Sequence, residues 1–224
     1  MSRIVVTGAA SGLGRCILQH LLPAGHVVLS YDIANGDDVL QPHINDMFMH
    51  GGVDVLINCA GVVRLNWLEN IASDEWDRVM DTNCKGILRM SQYLLPKLRE
   101  SEGTILNIVS SAAHLPMRTS AAYCASKAAA LMLTKQMARE LAPDITVFSI
   151  SPNRMSGTRM SESVDKKTAY LRDWTPEQVR ERQLAASLIG EETPPDAVAG
   201  LIAYLLLRKE HHKYLTGCDI PYGV

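Results

Sequence analysis

Near its start the chain reads Ile4-Val5-Val6-Thr7-Gly8-Ala9-Ala10-Ser11-Gly12-Leu13-Gly14-Arg15, an apolar run that breaks into a glycine-rich turn. Ile4 to Thr7 has the composition of a buried strand, and the residues beyond Gly14 carry helical apolar spacing as far as Leu22. The glycines sit at the join. Gly8 permits a sharp turn, Gly12 removes a Cβ where a pyrophosphate would approach, and Gly14 allows close packing of helix on strand. The helix start adds unpaired N–H groups and the positive end of a dipole. Strand, glycine turn and helix in that order open a dinucleotide-binding α/β unit.

Outward from this turn the same alternation continues. Val27–Tyr31 reads as a strand ending at Asp32, and Val53–Asn58 as another, closing in Asn58-Cys59-Ala60-Gly61. A helix is expected from about Asp74 to Tyr93, capped by Ser73 with acids in its first turn. Strand Thr104–Val109 precedes a loop and a helix running to Leu141. Strand Ile145–Ile150 stops at Ser151-Pro152, a helix spans Asp196 to about Leu207, and a short strand lies near Cys218–Pro221. Such alternation requires right-handed crossovers. One doubly wound α/β domain over 1–224 is expected, a mostly parallel sheet flanked by helices. Ligands of such sheets bind beyond the strand carboxyl ends.

Composition narrows the function classes. A hydrophobic fraction of 47% supports a large core, and the net charge of −2 comes from interspersed acids and bases, with no basic stripe for nucleic acid. No apolar run reaches the roughly 18 residues of a membrane span, and the N-terminus lacks the build of a secretory signal. A cytoplasmic location is expected. The five cysteines, Cys16, Cys59, Cys84, Cys124 and Cys218, are dispersed, which argues against a disulfide framework and against a metal site.

Two residues bring chemistry to this frame. Tyr123 and Lys127 lie four apart among small residues, on one face of a helix. A phenol titrates near pH 10, and a fixed positive charge beside it favours the phenolate. At the second strand's end, the Asp32 carboxylate is placed to accept both ribose hydroxyls of an adenosine. A 2′-phosphate would meet like charge there. No Lys or Arg occurs between Arg15 and Arg64, so NAD is expected in preference to NADP.

Taken together these residues resemble the short-chain dehydrogenase/reductase family in its single-domain form. Gly8, Gly12 and Gly14 have that family's glycine spacing, Asn58-Cys59-Ala60-Gly61 resembles its N-N-A-G turn, and Asp81-Thr82-Asn83 the segment bearing its active-site Asn. Asn107-Ile108-Val109-Ser110-Ser111 resembles the active-site Ser segment, and Tyr123-Cys124-Ala125-Ser126-Lys127 is similar to the Y-x-x-x-K motif. The resemblance implies a Rossmann fold with seven strands and an NAD-dependent oxidoreductase interconverting a secondary alcohol and a ketone. Tyr123 is its expected general acid and base. Lys127 would tune Tyr123 and hold the ribose, Ser110 would hold the substrate oxygen, and Asn83 would anchor a proton path. Ser110 lies thirteen residues before Tyr123, the family spacing; Ser111 is the alternative.

Expected cofactor contacts are Gly8, Ser11, Gly12, Leu13, Gly14, Asp32 and Ile33, then Asp38 and Val39, which resemble the family's acidic-apolar pair against adenine. Asn58, Ala60, Gly61, Tyr123, Lys127, Pro152, Met155 and Thr158 complete the set. Only five residues separate Asp32 from Asp38, too short for the helix usual there, so a shortened adenine-side wall is expected. Asn153 replaces the glycine usual after Pro152. Substrate contacts are expected from Ser110, Ser111, His114 and Tyr123, beneath a lid at about 156–190 whose cations face either an anionic group or solvent. The implied partners are a small alcohol or ketone and further copies in a homodimer or homotetramer, packed through the Asp74 and Ser120 helices. Two alternatives stay open: an NADP-preferring reductase of the same family, and a catalytically silent NAD-binding sensor or scaffold.

Overall fold

A computed structural model of the chain describes residues 1–43, 51–207 and 209–223. Its strands are β1 (Arg3–Thr7), β2 (Val27–Tyr31), β3 (Val55–Asn58), β4 (Thr104–Ile108), β5 (Thr146–Pro152) and β6 (Asp219–Tyr222). They form one parallel sheet in the order β2-β1-β3-β4-β5-β6. Helices α1 (Gly12–Leu21), α2 (Ser73–Met80), α3 (Gly86–Glu100), α4 (Ala121–Leu141), α5 (Arg159–Arg172), α6 (Pro176–Ala185) and α7 (Pro195–Leu206) complete the frame.

Both faces of the sheet are covered, as a parallel sheet requires. Side chains alternate across each strand, so Ile4, Val6, Ile57 and Phe148 pack under α1 and α7 against Ile17, Leu21, Val198 and Ile202. Val5, Leu56, Ile105 and Val147 face the other way, onto Met90, Leu94 and Leu98 of α3 and Ala130 and Met137 of α4. Buried amides link the layers. Asn58 donates to Asn107 Oδ1 at 2.9 Å, and Asn107 donates to Thr134 Oγ1 at 2.9 Å.

Two expectations need correction. The sheet has six strands among the described residues, not seven. A further parallel neighbour for β2 needs a crossover of a dozen or more residues, and the chain beyond Tyr31 instead makes a short 3-10 turn, Ile33–Asn35. Tyr31 then holds the segment in place, its phenol donating to the Asp38 carbonyl at 3.0 Å. The expected helix from Asp74 is also interrupted. α2 begins at Ser73, with Ala72 rather than Ser73 at the cap position. A π-helical turn, Asp81–Lys85, separates it from α3.

Candidate active site

The glycine turn is shaped by close approach. A Cβ on Gly14 would lie 2.2 Å from the Gly8 carbonyl oxygen, and one on Gly8 2.7 Å from Ala60 Cα. Thr7 Oγ1 locks the two strand ends together by accepting from Cys59 N and Ala60 N, each at 3.0 Å. Gly12 is different. Its φ is +51°, and its Cβ position meets nothing nearer than the Thr158 methyl at 3.8 Å. Open space at this one glycine, beside the start of α1 whose Ser11 makes no side-chain cap, is a cradle that fits a pyrophosphate.

Asp32 lies beside that turn. One carboxylate oxygen accepts from Ala10 N at 2.9 Å and the other from Ala34 N at 2.8 Å. Ile33 beyond it is exposed. The Asp38 carboxylate accepts from Leu40 N at 2.9 Å, while Val39 packs on Gly86 of α3, where a Cβ would lie 2.8 Å from its methyl. At the opposite end, Pro152 ends β5, Met155 bridges to Thr193, and Thr158 caps α5. The Thr158 hydroxyl is taken up by Ser161 in a capping box, which leaves its methyl toward Gly12.

The chemistry-bearing residues meet at the carboxyl ends of β3 and β4. Ser110, extended after β4, hydrogen-bonds the Tyr123 phenol. Lys127 is buried, its ammonium donating to the Ile108 carbonyl at 2.9 Å and lying 5.9 Å from the Tyr123 ring centroid. Asn83 is held by three hydrogen bonds. Its Oδ1 accepts from Val62 N, and its Nδ2 donates to the Val62 carbonyl and to Ser126 Oγ. Ser126 in turn donates to the Tyr123 carbonyl at 2.7 Å. Gly61 covers the group, its Cβ position 3.4 Å from Asn83 Oδ1 and 3.8 Å from Lys127 Nζ.

Burial sets the electrostatics here. It pushes the Lys127 ammonium from 10.5 down to about 8 and raises the Tyr123 phenol above its usual 10, the Ser110 hydrogen bond opposing that rise. The expectation that Lys127 lowers the phenol meets a stronger effect, because both groups lose water and each favours its neutral form. Cys59, beside this cluster, is pushed up by burial to about 12, so its thiol stays protonated.

The adjacent serines part company. Ser111 is buried and donates to Asn153 Oδ1 at 3.1 Å, and Asn153 donates onward to the Gly223 carbonyl at 2.9 Å. His114 pairs with Asp219 at 2.8 Å, a carboxylate that also accepts from Ser149 and Ser151. Residues 156–190 form α5 and α6. Arg154, just beyond β5, meets Asp165 of α5 and Glu192 at 2.5 Å each, and Gln183 of α6 donates to the same Asp165. Thr7, Ser126 and the π turn carried no sequence signal, since each acts through partners distant in the chain.

A family model described as short chain dehydrogenase matches residues 37–169, more than half of the chain. The chain is a short-chain dehydrogenase/reductase. It is 32% identical to the 3-oxoacyl-(acyl-carrier-protein) reductase FabG of Staphylococcus epidermidis, over 96% of this chain and 95% of that protein. Among solved structures, ligand-free aldohexose dehydrogenase of Thermoplasma acidophilum is 26% identical with a TM-score of 0.86, covering 98% of this chain and 91% of that one. A point variant of actinorhodin polyketide ketoreductase with NADPH is 27% identical with a TM-score of 0.88, covering 99% and 96%. This short-chain dehydrogenase is therefore an NAD(P)-dependent oxidoreductase acting on CH–OH groups. Among the described residues, no helix is long and apolar enough to cross a membrane, and no group of three or more His, Cys, Asp or Glu could hold a metal ion.

Proposed function

We propose that the protein interconverts a secondary alcohol and a ketone with NAD, using Tyr123 as the proton-transfer group. The observation that carries this reading is the hydrogen-bonded group of Ser110, Tyr123, Ser126 and Asn83 around the Lys127 ammonium. Bound at the glycine turn, a nicotinamide dinucleotide supplies or accepts the hydride. Gly12 and the start of α1 receive its pyrophosphate and Asp32 its adenosine ribose. Lys127 would hold the nicotinamide ribose, with Thr158 and Met155 on the nicotinamide side.

Tyr123, kept protonated by burial, donates its phenolic proton to a ketone oxygen. Ser110 donates to the same oxygen as charge develops on it. Asn83 fixes the loop after β3 and the α4 backbone, so that Lys127 and Tyr123 stay aligned. In the oxidative direction Tyr123 accepts the proton. Segment 156–190 acts as the lid, and assembly into a dimer or tetramer in the cytoplasm accompanies this reading.

NAD is favoured because Asp32 already occupies the ribose end and offers a 2′-phosphate only negative charge. The NADPH carried by the related ketoreductase favours NADP as the second reading. Tyr123→Phe tests the proposal. Turnover of a secondary-alcohol panel should fall on the order of 10²- to 10⁴-fold while NADH fluorescence titration is unchanged; near-normal turnover in the variant would refute it. In the unmodified protein, a higher kcat/KM with NADPH than with NADH would refute the NAD preference.

A further inference from the structure

The strongest feature outside this machinery is a pair of guanidiniums, Arg118 and Arg172, with no carboxylate partner among the described residues. Arg172 ends α5, and its Nη2 donates to the Arg118 carbonyl at 3.2 Å. Its guanidinium lies 4.8 Å from the Trp174 ring centroid, a cation–π distance. Its Nε is buried without an acceptor. Arg118 is close enough for its charge to act against that of Arg172. Among the described residues no ion pair within 4.0 Å includes either arginine, although Asp173, Glu177 and Glu181 lie on the same stretch. Arg154, on the neighbouring loop, contrasts with two carboxylate partners.

Position gives the pair its meaning. Trp67 Nε1 donates to the Leu171 carbonyl at 3.3 Å, and Asn66 N to the Thr119 carbonyl at 2.8 Å. The end of α5 is thereby joined to two segments, the one leaving Gly61 and the one entering the Tyr123 helix. Ser120, the residue before α4, donates to the same Arg118 carbonyl that Arg172 holds. The Arg118 carbonyl that Arg172 holds thus belongs to the segment that enters α4, three residues before its start and five before Tyr123. A cavity of about 250 Å³ beside Trp174 is lined by Glu181 as well as Arg182, so Arg182 is assigned no ligand.

We propose that Arg172, with Arg118, receives an anionic oxygen group of the substrate, a carboxylate or a phosphate, so that the enzyme acts on acidic hydroxy and oxo compounds. The inference rests on Tyr123 as the proton-transfer group. A guanidinium suits this task because its fork matches two anionic oxygens at once. A bound anion would complete the hydrogen bonding that Arg172 lacks within the chain.

Matched substrates test it: acetoacetate against 4-hydroxy-2-butanone for carboxylate, and dihydroxyacetone phosphate against dihydroxyacetone for phosphate. In one pair the acidic member should be favoured in kcat/KM by on the order of 10- to 100-fold, the range for hydrogen bonds to a charged group, acting mainly through KM. The acidic-to-neutral ratio should collapse toward one in Arg172→Gln and fall partway in Arg172→Lys and Arg118→Gln. Lys135→Gln, on the exposed side of α4, should leave it intact. Calorimetric titration of the NADH-loaded protein with malonate and with inorganic phosphate reads the anion site without turnover. Equal use of both members of each pair, or a preference that survives in Arg172→Gln and Arg118→Gln, overturns the inference. Arg172-dependent anion binding without turnover of any ketone would keep the anion site and refute the reading of Tyr123.

Discussion

Lys127 carries a measurable penalty for its position, and removing it should change how stability depends on pH. Lys127 is 5% exposed, its ammonium donates to the Ile108 carbonyl, and burial lowers it from 10.5 to about 8. That shift corresponds to about 3 kcal/mol against the charged form. The folded state then binds fewer protons than the unfolded chain between pH 8 and 10.5, so stability rises with pH through that window. The penalty is fully present below pH 8 and gone above 10.5. Between pH 7.5 and 9.5 the unmodified protein should gain about 2 kcal/mol from this group. Lys127→Met removes the gain and strands the Ile108 carbonyl at about 1–3 kcal/mol, leaving stability at pH 7.5 unchanged or raised by up to about 2 kcal/mol while turnover is lost. Urea unfolding of both proteins across that range, without cofactor, measures the difference. Surface lysines cancel in the comparison, so parallel pH profiles would refute the assigned burial penalty.

Four further outcomes follow from the same geometry. Gly14→Ala forces a Cβ onto the Gly8 carbonyl and should cost about 1–3 kcal/mol in urea unfolding. Gly12→Ala should cost about 1–2 kcal/mol for its positive φ yet keep the fold and lose NADH fluorescence enhancement; tight NADH binding in Gly12→Ala would contradict the cradle. Asp32→Asn keeps an acceptor for only one of the Ala10 and Ala34 amides and removes the charge, so the ratio of NADPH to NADH kcat/KM should rise at least tenfold; an unmoved ratio would place cofactor choice elsewhere. Asp219→Ala strands the buried Ser149 and Ser151 hydroxyls and should lower stability by about 2–4 kcal/mol, whereas the half-exposed His114→Ala should lower it by less than about 1 kcal/mol; equal losses would show that the cluster is not centred on Asp219.

Much of this was legible because the dinucleotide end and the Tyr123–Lys127 pair are local patterns, readable wherever strand, turn and helix follow one another. The crowding that demands Gly8 and Gly14 involves neighbours a few residues away or one strand over. Ser110 was preferred to Ser111 on family spacing alone, because the Asn153 that receives Ser111 lies 42 residues further along the chain. His114 was placed with the substrate because it lies between Ser110 and Tyr123, and its partner Asp219 is 105 residues away. The seventh strand came with the family resemblance; among the described residues no strand lies between β2 and β3. Lys127 was expected to act on Tyr123 as a charge, an argument that neglected the water both groups give up.

The π turn at Asp81–Lys85 has a consequence for helical phase. At about 100° per residue, Val79 of α2 falls about 80° away from the stripe formed by Ile87, Leu94 and Leu98 of α3 if the two helices are counted as one. Counting one residue fewer brings Val79 to within about 20° of it. All four are buried, so the wide turn absorbs a single surplus residue and keeps the buried sides of both helices in phase. Asn83 sits within that surplus, free of the packing rhythm that governs its neighbours and aimed at Val62 instead of the sheet.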